Sequence, residues 1–138
     1  MMQQRWLSSL LVILSAITLP TFGQSLDLHV KIPFPFNVGQ AQLPAGDYVL
    51  SSTSDKIAIR DSQGKTVAMA LANRGGRQGT DNRGKAMFEC YSDRCFLSQF
   101  WTTGEKEGAQ LVRSSLETKI AAKQTGQYFA VMASPARQ

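Results

Sequence analysis

Hydrophobic positions near the start of this chain fall into two regimes. Residues 7–19 (LSSLLVILSAITL) form an apolar run with no charge and no period. Residues 26–38 alternate instead. Leu26, Leu28, Val30, Ile32, Phe34, Phe36 and Val38 are apolar, and Asp27, His29, Lys31, Pro33, Pro35 and Asn37 separate them. Successive side chains of a strand point to opposite faces, so this period predicts a strand buried on one face only. Pro33 and Pro35 lack N–H donors and sit two apart, on the same hydrogen-bonding side. Pairing there must stop, which makes the segment an edge, a bulge or the end of a ladder.

The pattern continues in short pieces. Turn residues at 38–42 and 43–46 precede a strand at 47–51 (DYVLS). Residues 56–60 (KIAIR) alternate with Ile57 and Ile59 inward, and the turn 61–64 ends in Gly64. Residues 65–72 (KTVAMALA) alternate Val67, Met69 and Leu71 against small side chains. Residues 73–84 (NRGGRQGTDNRG) lack any apolar side chain and read as an exposed loop. Residues 85–91 and 95–101 form a hairpin. Ser114 and Glu117 fit a capping box, which predicts a short helix over 114–123 with Leu116 and Ile120 as its apolar stripe and Gly126 as its stop. A last strand follows at 128–133. The sum is roughly seven or eight antiparallel strands. The expected fold class is mainly β: a small antiparallel β-sandwich or partly closed barrel with one short C-terminal helix.

The opening run sets the compartment. Arg5 precedes it, and Pro20, Thr21, Phe22 and Gly23 follow it with a break and small residues. This is the order of a secretory signal peptide. A spanning helix needs about 20 apolar residues, more than this run offers. No Cys near the cut suggests a lipid anchor, and no Arg-Arg pair suggests a twin-arginine route. The expected organisation is a signal peptide over residues 1–23, then one domain over 24–138, exported to the periplasm or the medium, with no transmembrane span after cleavage. The whole chain carries 15 basic and 10 acidic residues. Without Arg5 the balance is 14 to 10, a formal charge of +4. Such a surface suits solubility first and anionic envelope polymers or headgroups second.

An oxidising compartment lets Cys90 and Cys95 pair, and the four residues between them suit a disulfide across a hairpin mouth. A thioredoxin-type redox motif needs two intervening residues. With one His and no further Cys, no metal ligand set is available and no metal or cofactor is expected.

The block Ile32-Pro33-Phe34-Pro35-Phe36-Asn37-Val38-Gly39, then Leu43-Pro44-Ala45-Gly46-Asp47-Tyr48-Val49, resembles a family of short, uncharacterised exported bacterial proteins. Their pattern is roughly (V/I)PFxFxVG…LPAG(D/E)YxV. Residues 96–101, Gly104 and Ser114-Ser115-x-Glu117 are similar to later blocks of that family. The resemblance covers most of the domain and carries over no catalytic or binding residue. The two cysteines depart from the pattern.

Catalytic chemistry finds little material. His29 is the only histidine and lies on the polar face of the first strand. A solvated surface role explains it. Gly-x-Ser-x-Gly is absent, and the acids fall in turns, loops and polar faces, so none is expected to have a raised pKa. Glu89 is expected to pair with Arg94 across the hairpin. Arg74, Arg77 and Arg83 sit among glycines, but without interleaved aromatics nucleic-acid binding is not expected. They remain possible binding residues for an anionic envelope component. Phe100 and Trp101 face opposite ways on a strand, which makes Trp101 a candidate groove residue. The expected function is a non-catalytic exported module that binds or packs against an unidentified envelope or extracellular component. The alternatives are a small periplasmic inhibitor or ligand carrier, and a small hydrolase.

Overall fold

The computed structural model describes residues 27–53, 55–77 and 82–134. The expected signal peptide over residues 1–23 lies outside them. Ten strands and one helix follow in order: β1 (Asp27–Ile32), β2 (Phe36–Val38), β3 (Ala41–Leu43), β4 (Gly46–Ser52), β5 (Lys56–Arg60), β6 (Thr66–Arg77), β7 (Lys85–Tyr91), β8 (Arg94–Trp101), β9 (Glu107–Leu111), α1 (Ser115–Ala121) and β10 (Gln127–Met132). The fold is mainly β with one short helix near the C-terminus.

All ten strands belong to one sheet. Its path runs β1-β4-β5-β6-β9-β8, with β7 and then β10 beyond β8 on its other side. The short β2–β3 hairpin lies beside the first half of β8 through a parallel pairing of Asn37 with Phe96. Every other pairing is antiparallel. The sheet is not closed into a barrel. Its end strands meet in a single isolated bridge, Val30–Ala133, with the Ser134 amide donating to the His29 carbonyl at 2.8 Å.

The long alternation of residues 26–38 is split by its prolines. Leu28, Val30 and Ile32 point inward from β1, and Phe36 and Val38 point inward from β2. Between them the chain leaves β4 and crosses the inner face of β7. Phe34 and Phe36 both meet the Phe88 ring edge-on, at 5.0 Å and 5.5 Å between centroids. The period survives the crossing because all these side chains face the same core, although their strands pair with different neighbours.

β6 departs from the sequence reading at its glycine-rich end. Of its large side chains Met69 and Leu71 are exposed on the outer face and Val67 packs against the core, while its alanines Ala68 and Ala72 are buried. Space decides this. The turn after β2 lies over the inner face of β6, where a Cβ at Gly39 would stand 3.9 Å from the Ala70 Cβ. A larger side chain at Ala70 would meet that turn. The expected loop over 73–84 is also partly strand, since β6 runs on to Arg77 and pairs with β9. Residues 78–81 of that loop lie outside the described set. Ten strands appear where seven or eight were expected, because the first period breaks in two, the residues after Gly39 add β3, and β9 (Glu107–Leu111) forms where no strand was read.

Candidate functional site

The hairpin of β7 and β8 carries the polar chemistry of the molecule. Cys90 and Cys95 face each other in register and are joined by a disulfide with Cα atoms 4.0 Å apart. Strand alternation places Glu89, Tyr91 and Phe96 on the outer face of this hairpin, away from the main core. They are nonetheless buried. The segment from Arg113 through α1 to Gly126 covers them.

The cap of α1 is the one the sequence predicts. Ser114 Oγ accepts a hydrogen bond from the Glu117 amide at 3.1 Å. The Glu117 side chain does not return the bond. It turns into the sheet and is only 5% exposed, whereas Leu116, expected on the apolar stripe, is 39% exposed. Tyr91 Oη donates to Glu117 Oε2 at 3.2 Å. The Arg113 guanidinium lies beside both acids: Nη2 is 3.2 and 3.0 Å from the two Glu89 oxygens, and Nε is 3.4 Å from Glu117 Oε2. The expected Glu89–Arg94 pair does not form, because Glu89 points under the helix, where Arg113 reaches it. Gly126 is tightly held. A Cβ there would lie 2.7 Å from Glu89 Cγ and 2.8 Å from a Tyr91 ring carbon.

Burial, opposed by the Tyr91 hydrogen bond, raises the Glu117 carboxyl above its ordinary range; the nearby Glu89 charge also raises it, and Arg113 lowers it. Burial and the surrounding carboxylates raise the Tyr91 phenol and keep it neutral. The hydrogen bond to Glu89 keeps Arg113 charged. Sequence reading expected no acid in such a setting. The available signal was the capping box, and it reported only the Ser114 half of Glu117's role.

Trp101 lies elsewhere on the outer face and lines no groove. It is 4% exposed, and its Nε1 donates to the Gly76 carbonyl at 3.0 Å. The indole lies across β9 toward β6, over backbone with no side chains. A Cβ at Gly108 would fall 2.6 Å from Trp101 Nε1, and one at Gly76 would fall 3.3 Å from its ring. Gly76 also has φ +76, a conformation that favours glycine. Lys85 covers the other side, with Nζ 5.2 Å from the ring centre. Phe100 and Trp101 are thus both buried, one on each face of β8. The glycines read as loop formers provide the bed for the indole.

The three arginines separate. Arg74 points inward at the open end of the sheet, into a cleft of about 690 Å³ that Ser52, Thr102, Glu105 and Lys106 also line. Arg77 is opposite Glu107 in the β6–β9 ladder. Arg83 is exposed before β7. The structure brings no two of them into one site. His29 lines a second cleft of about 1080 Å³ with Lys31, Asp47 and Asp61.

The outer surface also exposes large apolar side chains in two places. Met69, Leu71 and Val112 are 61%, 58% and 50% exposed. They form one patch, because Met69 and Leu71 share the outer face of β6 and the Val112 amide donates to the Leu71 carbonyl at 3.1 Å. Lys56 lies directly across from Leu71. The second place is β10, which exposes Tyr128, Phe129 and Met132. Among the described residues, no helix is long and apolar enough to cross a membrane. Comparison with known protein families, curated proteins and solved structures finds no match.

Proposed function

We propose that this chain is an exported, non-catalytic β module of the cell envelope or extracellular space that binds another component there. The observation that carries the proposal is the contiguous patch of Met69, Leu71 and Val112 on the outer face of a well-packed sheet. Exposed apolar clusters of this kind mark contact surfaces. The disulfide supports an oxidising compartment, and the resemblance to short exported bacterial proteins agrees with export. The two buried carboxylates, Glu89 and Glu117, could suggest acid–base chemistry. Their oxygens are engaged by Arg113 and Tyr91, and neither cleft is lined by them.

The test is capture of envelope components on the purified mature domain at low and high salt. A partner retained at high salt and lost with Met69→Ser/Leu71→Ser supports the proposal. Capture at low salt alone reports basic-surface attraction and counts against it.

A second reading, a carrier of a small polar ligand, rests on the cleft at Arg74. It requires that Arg74→Ala weaken binding of a small anion to the mature domain while leaving its thermal stability unchanged.

A further inference from the structure

From β5 to β10 the outer face of the sheet shows solvent charge of one sign. β5, β6, β8 and β10 contain no acid. The acid of β9, Glu107, lines the cleft on the inner side. The acids of β7 and α1, Glu89 and Glu117, are buried against Arg113. The cations are exposed or partly exposed. Ile57 and Ile59 are buried, so alternation turns Lys56 outward. Lys85 lies over the outer ring of Trp101. Lys119 follows Glu117 by two residues, about 200° round the helix, and so points away from the sheet. Among the described residues no carboxylate pairs with these three lysines.

The remaining acids stand away from this region. Asp55 precedes Lys56, but its carbonyl accepts from the Ala72 amide and extends the ladder by one residue. That places it on the inner side, opposite buried Ala72. Asp27 and Asp47 lie at the β1–β4 end, where Arg60 bonds Asp27 at 3.6 Å and Lys31 stands opposite Asp47. Within the one-signed region sit Met69, Leu71 and Val112, with Lys56 directly across from Leu71. These side chains project from a sheet face, and neither cleft includes them. Protein interfaces anchor such side chains in matching pockets. A lipid interface needs no pocket: it takes apolar side chains into its headgroup region and attracts cations to its phosphates.

We infer that this face docks on an anionic phospholipid surface. Met69, Leu71 and Val112 enter the headgroup region, Lys56 beside them meets lipid phosphate, and Lys85 and Lys119 add to the positive potential of the same side. The inference rests on the reading of the Met69 patch as a contact surface and names its partner. Apolar insertion and charge act together here. A few aliphatic side chains bury too little area to hold a domain on a bilayer alone, and lysines alone are screened by salt. The unbranched Met69 side chain adapts to a fluid partner. The acids of the inner cleft, Glu105 and Glu107, then face away from the lipid phosphates.

The test is co-sedimentation of the mature chain, as exported, with two kinds of vesicle: phosphatidylcholine alone, and equal parts phosphatidylcholine and phosphatidylglycerol. Wild type should bind the anionic vesicles at least about tenfold more tightly. Met69→Ser/Leu71→Ser removes the apolar part and Lys56→Glu reverses the nearest charge. All three positions are exposed, so far-UV circular dichroism should not change. Each variant should weaken binding to the anionic vesicles at least about fivefold. Equal binding to both vesicles overturns the inference, as does binding that either variant leaves intact. Wild type that ignores both vesicles but holds an envelope protein through Met69 and Leu71 overturns the lipid partner and leaves the contact surface standing. Wild type that holds neither overturns both.

Discussion

Arg113 is the residue on which the outer face of the hairpin depends most. Among the described residues it is the only cation bonded to Glu89, and it also contacts Glu117. Removing one partner of a buried pair leaves uncompensated charge and costs about 3–5 kcal/mol. The Arg113 side chain is 50% exposed, so Arg113→Met should cost less, about 2–3 kcal/mol at pH 7 by urea denaturation. Glu117 sets the pH dependence. Its folded-state pKa lies above the ordinary value, so folding favours its protonated form. Its contribution is full below about pH 4.5 and is lost as pH rises through the raised value. Glu117→Gln, which still accepts from Tyr91, should flatten the stability profile in that window. The cost of Arg113→Met should shrink as the pH falls there. Trp101 offers a second test at this scale. Gly108→Ala forces a Cβ against the indole nitrogen and should cost about 1–3 kcal/mol by overpacking. In the mature chain Trp101 is the remaining tryptophan, since Trp6 lies in the expected signal, so its fluorescence reports the displacement directly.

Among the elements, the β7–β8 hairpin was the most legible. Its strands, its turn and its disulfide follow from the alternation and the cysteine spacing, because a hairpin is local and its partners are near in sequence. The disulfide closes a loop of only a few residues. By chain entropy, removing it with Cys90→Ala/Cys95→Ala should lower stability by about 2 kcal/mol, readable as a shift in urea midpoint at unchanged slope. β6 was less legible. Its alternation was correctly read as a strand, but the side that faces inward depends on the hairpin of β2 and β3 lying over it. Its glycine-rich end looked like a loop because the glycines serve Trp101, some 25 residues away in sequence. α1 shows the same division. The Ser114 cap was readable locally, whereas the burial of Glu117 required Arg113 and the outer face of β7.

For the whole molecule, the β10 end of the sheet differs from its middle. Ile57 and Ile59 of β5 are fully buried, while β10 is exposed along nearly its whole length and held by one ladder. Amide hydrogen exchange at low protein concentration should therefore open β10 well before β5 and β6. Within β10, Phe129 and Val131, whose amides point to β7, should be protected, and Tyr128 and Ala130 should exchange fast. Equal protection at all four positions would contradict the open edge. The sequence by itself determined that the chain is mainly β, where most strands lie, that β1 must stop at its prolines, that the helix starts at Ser114 and that two cysteines meet. These are properties of period, turn chemistry and short loops, each set by neighbours a few residues apart. Only the tertiary structure decided that one sheet holds every strand and stays unclosed at β10, that alanines and not Met69 and Leu71 face the core, that glycines carry an indole and that two carboxylates are buried around one arginine. Those outcomes depend on which distant surfaces compete for the same volume, and no local pattern encodes that competition.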